Sequence, residues 1–258
     1  MKLAGICELP WTTLRDVCRA VNAHPSEVEF DYLGVNHLGW LYQITAGGRD
    51  LVAEYARARK PEAGFPSADL VRSCGGVPLR YLRLHYEQER VVEEQRRQRR
   101  TRGDELELLR RAAFRAYRAG GRRDVRAALE ARPAPWYRHA VGPFISSLAG
   151  KATRIPFFLS VRNAGYDPYF DDDDVLECQH AVDRGQIRRL VHSAPDSPHI
   201  LQLAARFVRY ERLATEALIG GGLRALREAI RMHPWSEGVP RPDRMVREIV
   251  DFCRGAAA

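Results

Sequence analysis

Three side chains in this 258-residue sequence stand out for the chemistry that their types and spacing allow. His37 lies in Phe30-Asp-Tyr-Leu-Gly-Val-Asn-His-Leu-Gly-Trp40, where Asn36 and His37 form a polar pair between apolar Leu33, Val35, Leu38 and Trp40. Such a pair is either a satisfied core pair or a site. Cys7, in Gly5-Ile-Cys-Glu-Leu-Pro10, adds a thiolate, and thiolate with imidazole suits a borderline first-row metal ion. Two protein ligands leave coordination positions open to substrate oxygens, as a catalytic metal requires. Taken alone, Cys7 equally reads as a cysteine buried at a strand end. Cys7 and His37 lie far apart in sequence, so only the fold can bring them together. Tyr81, in Val77-Pro-Leu-Arg-Tyr-Leu-Arg-Leu-His-Tyr86, is a candidate general base. Tyrosine titrates near about 10, so it needs a nearby cation to act as one. Arg80 and Arg83 or a bound metal meet that need, and the alternative is a tyrosine on the apolar face of a helix.

These residues need elements to position them. Val28, Phe30, Tyr32 and Gly34 alternate with Glu29, Asp31 and Leu33, the period of a strand. Strands are expected over 1–7, 28–34 and 38–45, with a hairpin-type turn at Ala46-Gly-Gly-Arg-Asp50. Thr12 or Thr13 is positioned to cap a helix running to Ala23. Further helices are expected over 50–60 and 68–74, then as one continuous helix over 78–98, and over 104–119 and 124–131. Residues 136–149 read as a helix, 154–161 as a buried strand and 163–174 as an acidic loop before a strand at 175–177. A long amphipathic helix over 197–219 precedes two more, broken at His233-Pro234, and Gly220-Gly-Gly222 reads as a helix stop. Asp171 to Asp174 are consecutive, without the ligand spacing of a calcium loop.

Composition narrows the classes. A hydrophobic content of 45% supports a sizeable core. No apolar run reaches the ~18 residues of a membrane span and no signal peptide is evident. The five cysteines are an odd number without a Cys-x-x-Cys pair, which points away from a disulfide framework and to a reducing cytoplasm. The net charge of +8 comes almost entirely from arginine. Gln95 to Arg102 is a dense basic run without the interleaved aromatics of a base-stacking surface, so it reads as a solvated helix face rather than a nucleic-acid footprint.

Taken as an ordered set, the segments Gly5-Ile-Cys-Glu-Leu-Pro10, Asp31-Tyr-Leu-Gly-Val-Asn-His-Leu-Gly-Trp40 and Pro78-Leu-Arg-Tyr-Leu-Arg-Leu-His-Tyr86 resemble the C-terminal half of the family 4 glycoside hydrolases. These are the NAD- and manganese-dependent 6-phospho-glycosidases, and the 6-phospho-β-glucosidase branch is the most similar. Val208-Arg-Tyr-Glu-Arg-Leu-Ala-Thr-Glu-Ala217 extends the likeness toward the C-terminus. The resemblance implies an α+β fold, a helix-rich domain with a mixed or antiparallel sheet like the C-terminal domain of lactate and malate dehydrogenases. It implies manganese on Cys7 and His37, Tyr81 as base, and a phosphorylated glycoside as substrate. Arg102, in Thr101-Arg-Gly-Asp104, falls where the family carries an arginine, and its fork suits the sugar phosphate. Asn36 would orient His37 or bind a sugar hydroxyl, Arg162 and Asn163 would line the pocket, and Glu8 stands where the family has Asn or Asp.

The chemistry implied is oxidation at C3 with NAD as hydride acceptor, removal of the C2 proton by the tyrosine and elimination of the aglycone, an exception to the two-carboxylate rule for glycosidases. No Gly-x-Gly-x-x-Gly follows a strand in this sequence, so residues 1–258 are expected to form the metal-binding C-terminal domain, with the N-terminal NAD-binding domain absent. A separate NAD-binding half and a homo-oligomer are the expected partners. The alternative is a non-catalytic remnant that binds a sugar phosphate or a partner.

Overall fold

The computed structural model describes residues 4–59, 62, 64–131, 136–151, 155–220, 222–236 and 242–255. The first half runs β1 (Gly5–Cys7), α1 (Leu9–Ala20), β2 (Glu29–Val35), β3 (Leu38–Ala46), β4 (Arg49–Asp50), α2 (Leu51–Ala58), α3 (Ala68–Cys74) and β5 (Gly76–Pro78). It continues through α4 (Arg83–Tyr86), α5 (Gln88–Arg96), α6 (Arg102–Ala119), α7 (Arg122–Ala131) and α8 (Gly142–Leu148). The remainder is β6 (Phe157–Arg162), β7 (Val175–Asp183), β8 (Gln186–Arg189), α9 (Pro198–Gly220), α10 (Leu223–Met232) and α11 (Pro242–Gly255). No described helix is long and apolar enough to cross a membrane.

One sheet organises these elements. Its strand order is β1-β6-β7-β2-β3-β4, with β5 on β3 and β8 on β7, and every described pairing is antiparallel. This is the expected α+β architecture, in its antiparallel form. Strand alternation sends Tyr32, Leu41, Val77 and Phe158 to one face, where α1, α2 and α3 cover them with Leu14, Val17, Leu51, Tyr55 and Val71. Leu33, Val35, Trp40, Tyr42, Leu176 and Cys178 point to the other face and meet Ile200, Leu203, Phe207 and Val208 of α9. The lower half of β2 is thus buried on both sides, not on one as a simple alternation would have it.

Local chemistry explains most boundaries. Asp50 caps α2 by accepting from the Val52 and Ala53 N–H groups, and Ser67 caps α3, which ends on Gly75 in the left-handed region. Thr101 and Asp104 close a reciprocal capping box on α6.

Three expectations need correction. Helix α1 starts at Leu9 rather than after a threonine cap, because Pro10 suits a first turn, and the Thr12 hydroxyl instead donates to the Leu9 carbonyl. The single helix expected over 78–98 is a strand, a 3-10 turn (Arg80–Leu82) and two helices. The break falls at Glu87, whose carboxylate accepts from the Ser67 N–H and pairs with Arg83 and Arg90, fixing a non-helical backbone there. The strand after the acidic loop runs on to Asp183 and turns back through β8, a hairpin not expected from the sequence. The strand expectations over 1–3 and at 154 lie outside the described residues.

Two glycines make room for one buried ring. A Cβ on Gly34 would come within 2.2 Å of the Tyr32 hydroxyl, and one on Gly39 within 2.3 Å. Gly34 pairs with Gly39 across β2 and β3, so Tyr32 lies flat over both. Gly34→Ala should therefore cost ~1–3 kcal/mol by overpacking. The same change in a Tyr32→Ala background should cost much less by urea denaturation, and equal costs in the two backgrounds would contradict this packing.

Candidate metal centre

The hairpin between β2 and β3 is the shortest possible, a two-residue loop made of Asn36 and His37. Both have positive φ, 46° and 70°, the mirror-image turn whose twist matches paired strands. Glycine usually takes the second position, so a histidine there accepts backbone strain, and such outliers gather at functional sites. The turn spreads the pair to the two sides of the sheet end. Asn36 lies near Glu211 of α9 and opposes the rise that burial gives its carboxyl, while the His37 ring turns toward β1.

There His37 Nδ1 lies 2.9 Å from Cys7 Sγ. The structure thus brings together two residues that stand far apart in sequence. A third group completes the cluster. Glu177 of β7 pairs in register with Gly34 and with Ser160, and Ser160 pairs with Gly5. The row across the sheet therefore reads Gly5, Ser160, Glu177, Gly34, Gly39, and small residues flank the single carboxylate. Cys7 Sγ, a ring nitrogen of His37 and a carboxylate oxygen of Glu177 all lie within 4.8 Å of one another. Glu177 Oε2 is 3.7 Å from His37 Nδ1 and accepts weakly from the His37 backbone N–H, while Tyr32 donates a short hydrogen bond to Oε1.

The cluster has a buried floor and an open mouth. Cys7 and Glu177 are 2% and 0% exposed, whereas the His37 side chain is 48% exposed. Burial raises the Cys7 thiol well above its ordinary range, with repulsion from Glu177 adding to it and the Leu9 N–H at the start of α1 opposing it. Burial likewise raises the Glu177 carboxyl, opposed by the Tyr32 hydrogen bond and by His37. Among the described residues no arginine or lysine pairs with Glu177. Thiol, imidazole and carboxylate together form a donor set that fits a divalent first-row ion, whose charge would offset the buried carboxylate.

Sequence alone had not pointed to Glu177. Its only signal there is a carboxylate between Leu176 and Cys178, both buried on the face opposite to it.

The other candidate residues are more dispersed. The Leu79 N–H donates to the Gly39 carbonyl at 2.8 Å, which puts the turn carrying Tyr81 at the same sheet end as His37. Tyr81 is 44% exposed, and its hydroxyl has no hydrogen-bond partner among the described residues. Glu8 precedes α1, and its Oε2 is buried without a hydrogen-bond partner among the described residues. Arg102 is exposed at the start of α6 and pairs with Glu105. Arg162, also exposed, pairs with Asp173. Asn163 is fully buried. Its amide donates to the Asp167 and Phe170 carbonyls and its oxygen accepts from the Asp167 N–H, so it braces the acidic loop.

The roomier clefts lie elsewhere. One of 410 Å³ is lined by Tyr42, Asp50, Arg72 and Ser197, another of 470 Å³ by Glu29, Asp31 and Gln43, and neither is lined by Cys7, His37 or Tyr81. The Cys7, His37 and Glu177 cluster is open on the side of His37 alone.

Comparison with known proteins places the chain in a family and gives its fold. The model of the family 4 glycosyl hydrolase C-terminal domain matches residues 32–236. The chain is 24% identical to the 6-phospho-beta-glucosidase BglT of Thermotoga maritima over 261 residues, covering 98% of this chain and 61% of that protein. The structure of the Thermotoga maritima 6-phospho-beta glucosidase with manganese, NAD+ and glucose-6-phosphate superposes with a TM-score of 0.80 at 21% identity, over 98% of this chain and 60% of that one. A 6-phospho-alpha-glucosidase from gut microorganisms, in complex with NAD and Mn2+, gives 0.67 at 19% identity, over 97% and 60%. The chain thus spans about three fifths of the length of these relatives.

A raised carboxyl has a definite pH consequence. Its folded-state pKa lies above the unfolded one, so its contribution to stability is complete below the ordinary carboxylate range and is lost as pH rises through the raised value. In metal-free protein the urea-melt stability of wild type relative to Glu177→Gln should therefore fall as pH rises above the ordinary carboxylate range. Parallel slopes in the two proteins would show that Glu177 is not the group responsible.

Proposed function

The chain belongs to the family 4 glycosyl hydrolases, matching their C-terminal domain, and from that premise we propose that it works in the cleavage of a phosphorylated glycoside resembling a 6-phospho-β-glucoside. The observation that carries this reading is the 2.9 Å approach of Cys7 Sγ to His37 Nδ1, which assembles a thiolate–imidazole pair at the open end of a buried cluster. Cys7 and His37 are the residues that would hold a divalent manganese ion. When bound, the ion would polarise a sugar oxygen and NAD would accept the hydride from C3, the two contributions the side chains cannot supply.

The chain's own residues do the rest. The left-handed Asn36-His37 turn fixes the imidazole at the sheet end without a flexible tether. Tyr81, half-exposed near the same sheet end, takes the C2 proton once the C3 position is oxidised. Arg102 is the proposed phosphate contact, Asn36, Glu8 and Arg162 are proposed for the substrate side, and Asn163, buried with its amide fully used, serves only to brace the loop beside Arg162.

Among the described residues every strand pairing is antiparallel, so these elements offer no parallel-sheet crossover in which a dinucleotide could sit. We therefore assign the second wall of the cleft, and the nucleotide, to a dinucleotide-binding partner domain.

The test is manganese-dependent release of nitrophenol from nitrophenyl 6-phospho-β-glucoside with added NAD. It compares the chain alone with the chain joined upstream to a dinucleotide-binding domain. Turnover is expected only in the joined form. Tyr81→Phe should lower it ~10²–10⁴-fold and suppress exchange of the C2 hydrogen with deuterated solvent. Undiminished turnover and exchange in Tyr81→Phe would remove the tyrosine from the reaction.

A further inference from the structure

We infer that Glu177 is a third protein ligand of the divalent cation held by Cys7 and His37, with Tyr32 as the residue that positions it. This rests on the metal reading above and goes beyond it by assigning a ligand from the opposite end of the chain.

Three observations carry the inference. First, the carboxylate is in reach, since its ligand oxygen, Cys7 Sγ and a His37 ring nitrogen all lie within 4.8 Å of one another. Those spacings fit one small ion seated among the three, with its remaining positions turned toward exposed His37. Second, the carboxylate is held for a purpose that packing does not require. It is 0% exposed, on a sheet face otherwise filled by apolar groups such as Phe158 and Leu41, and no described arginine or lysine pairs with it. A buried carboxylate without a cationic partner is costly, and a bound cation removes that cost. The charges also balance, because a thiolate and a carboxylate neutralise a divalent ion whereas a thiolate alone leaves it half compensated.

Third, the sequence devotes several positions to aiming this side chain. Tyr32 donates to Oε1, which leaves Oε2 on the side of His37. Tyr32 can reach it only because Gly34 and Gly39 lack Cβ atoms. Metal ligands are commonly oriented in this way by a hydrogen bond from a neighbour.

The experiment titrates manganese and cobalt into the folded protein and into Glu177→Gln, Glu177→Asp, Tyr32→Phe and Cys7→Ser. It follows affinity, the visible spectrum of bound cobalt, and the water-proton relaxivity of bound manganese. Glu177→Gln should weaken manganese binding by at least ~10-fold. It should alter the cobalt d–d bands while keeping the thiolate charge-transfer band, and raise relaxivity as water enters the vacated position. Glu177→Asp should fall between, and it carries the test if the glutamine variant does not fold. Tyr32→Phe should give a smaller loss without added water.

Affinity within twofold of wild type with an unchanged spectrum in the glutamine or aspartate variant would overturn the inference. Weaker binding with unchanged relaxivity would overturn it too, since Glu177 would then act from outside the coordination sphere. Failure of Cys7→Ser to change binding or spectrum would instead sink the underlying metal reading, so the two failures are distinct.

Discussion

The hydrogen bond from Tyr32 to Glu177, buried under a helix layer, is the constraint around which this sheet is built. A carboxylate placed at the centre of a sheet must find partners there, because no water reaches it. One partner is the Tyr32 hydroxyl, and the ring behind that hydroxyl needs the space that Gly34 and Gly39 leave. Gly34 and Gly39 face each other across the hairpin, and Ser160 and Gly5 extend the row of small residues beyond Glu177. A row of small residues therefore makes room for Tyr32 and Glu177 in an otherwise apolar core. At the end of that row Cys7, His37 and Glu177 converge.

The turn at the mouth follows from the same geometry. Only a two-residue loop keeps Val35 opposite Leu38 and so keeps Gly34 opposite Gly39. A longer loop would carry the imidazole on a flexible tether, and a glycine in place of His37 would relax the backbone and remove the ligand. Among the described residues no arginine or lysine pairs with Glu177, and a bound cation would offset that buried charge. Stability is given up locally for a site, and the two cores on either side of the sheet provide the rigidity that keeps it open.

Much of this was legible in the residues. The alternation around Tyr32, the end of the 68–74 helix and the Asn-His pair all announce themselves, because each depends on neighbours in sequence. The Cys7–His37 approach was legible only through the ordered motifs, since residue type allows a buried cysteine equally well. Glu177 was hidden for a physical reason. A glutamate between leucine and cysteine looks like an outward-facing strand residue until the register with Gly34 shows that both faces are covered. The break at Glu87 was hidden similarly, because the apolar period runs through it. The cause is a set of contacts from Ser67, Arg83 and Arg90 that local pattern does not encode.

The central claim is that a thiolate and an imidazole from opposite sides of the β1–α1 junction and the β2–β3 turn share one divalent ion. X-ray absorption at the manganese edge of the loaded protein tests this most directly. The account predicts one sulfur scatterer in the first shell together with nitrogen and oxygen, and its loss in Cys7→Ser. A first shell of oxygen and nitrogen alone, identical in the wild type and in Cys7→Ser, would contradict it.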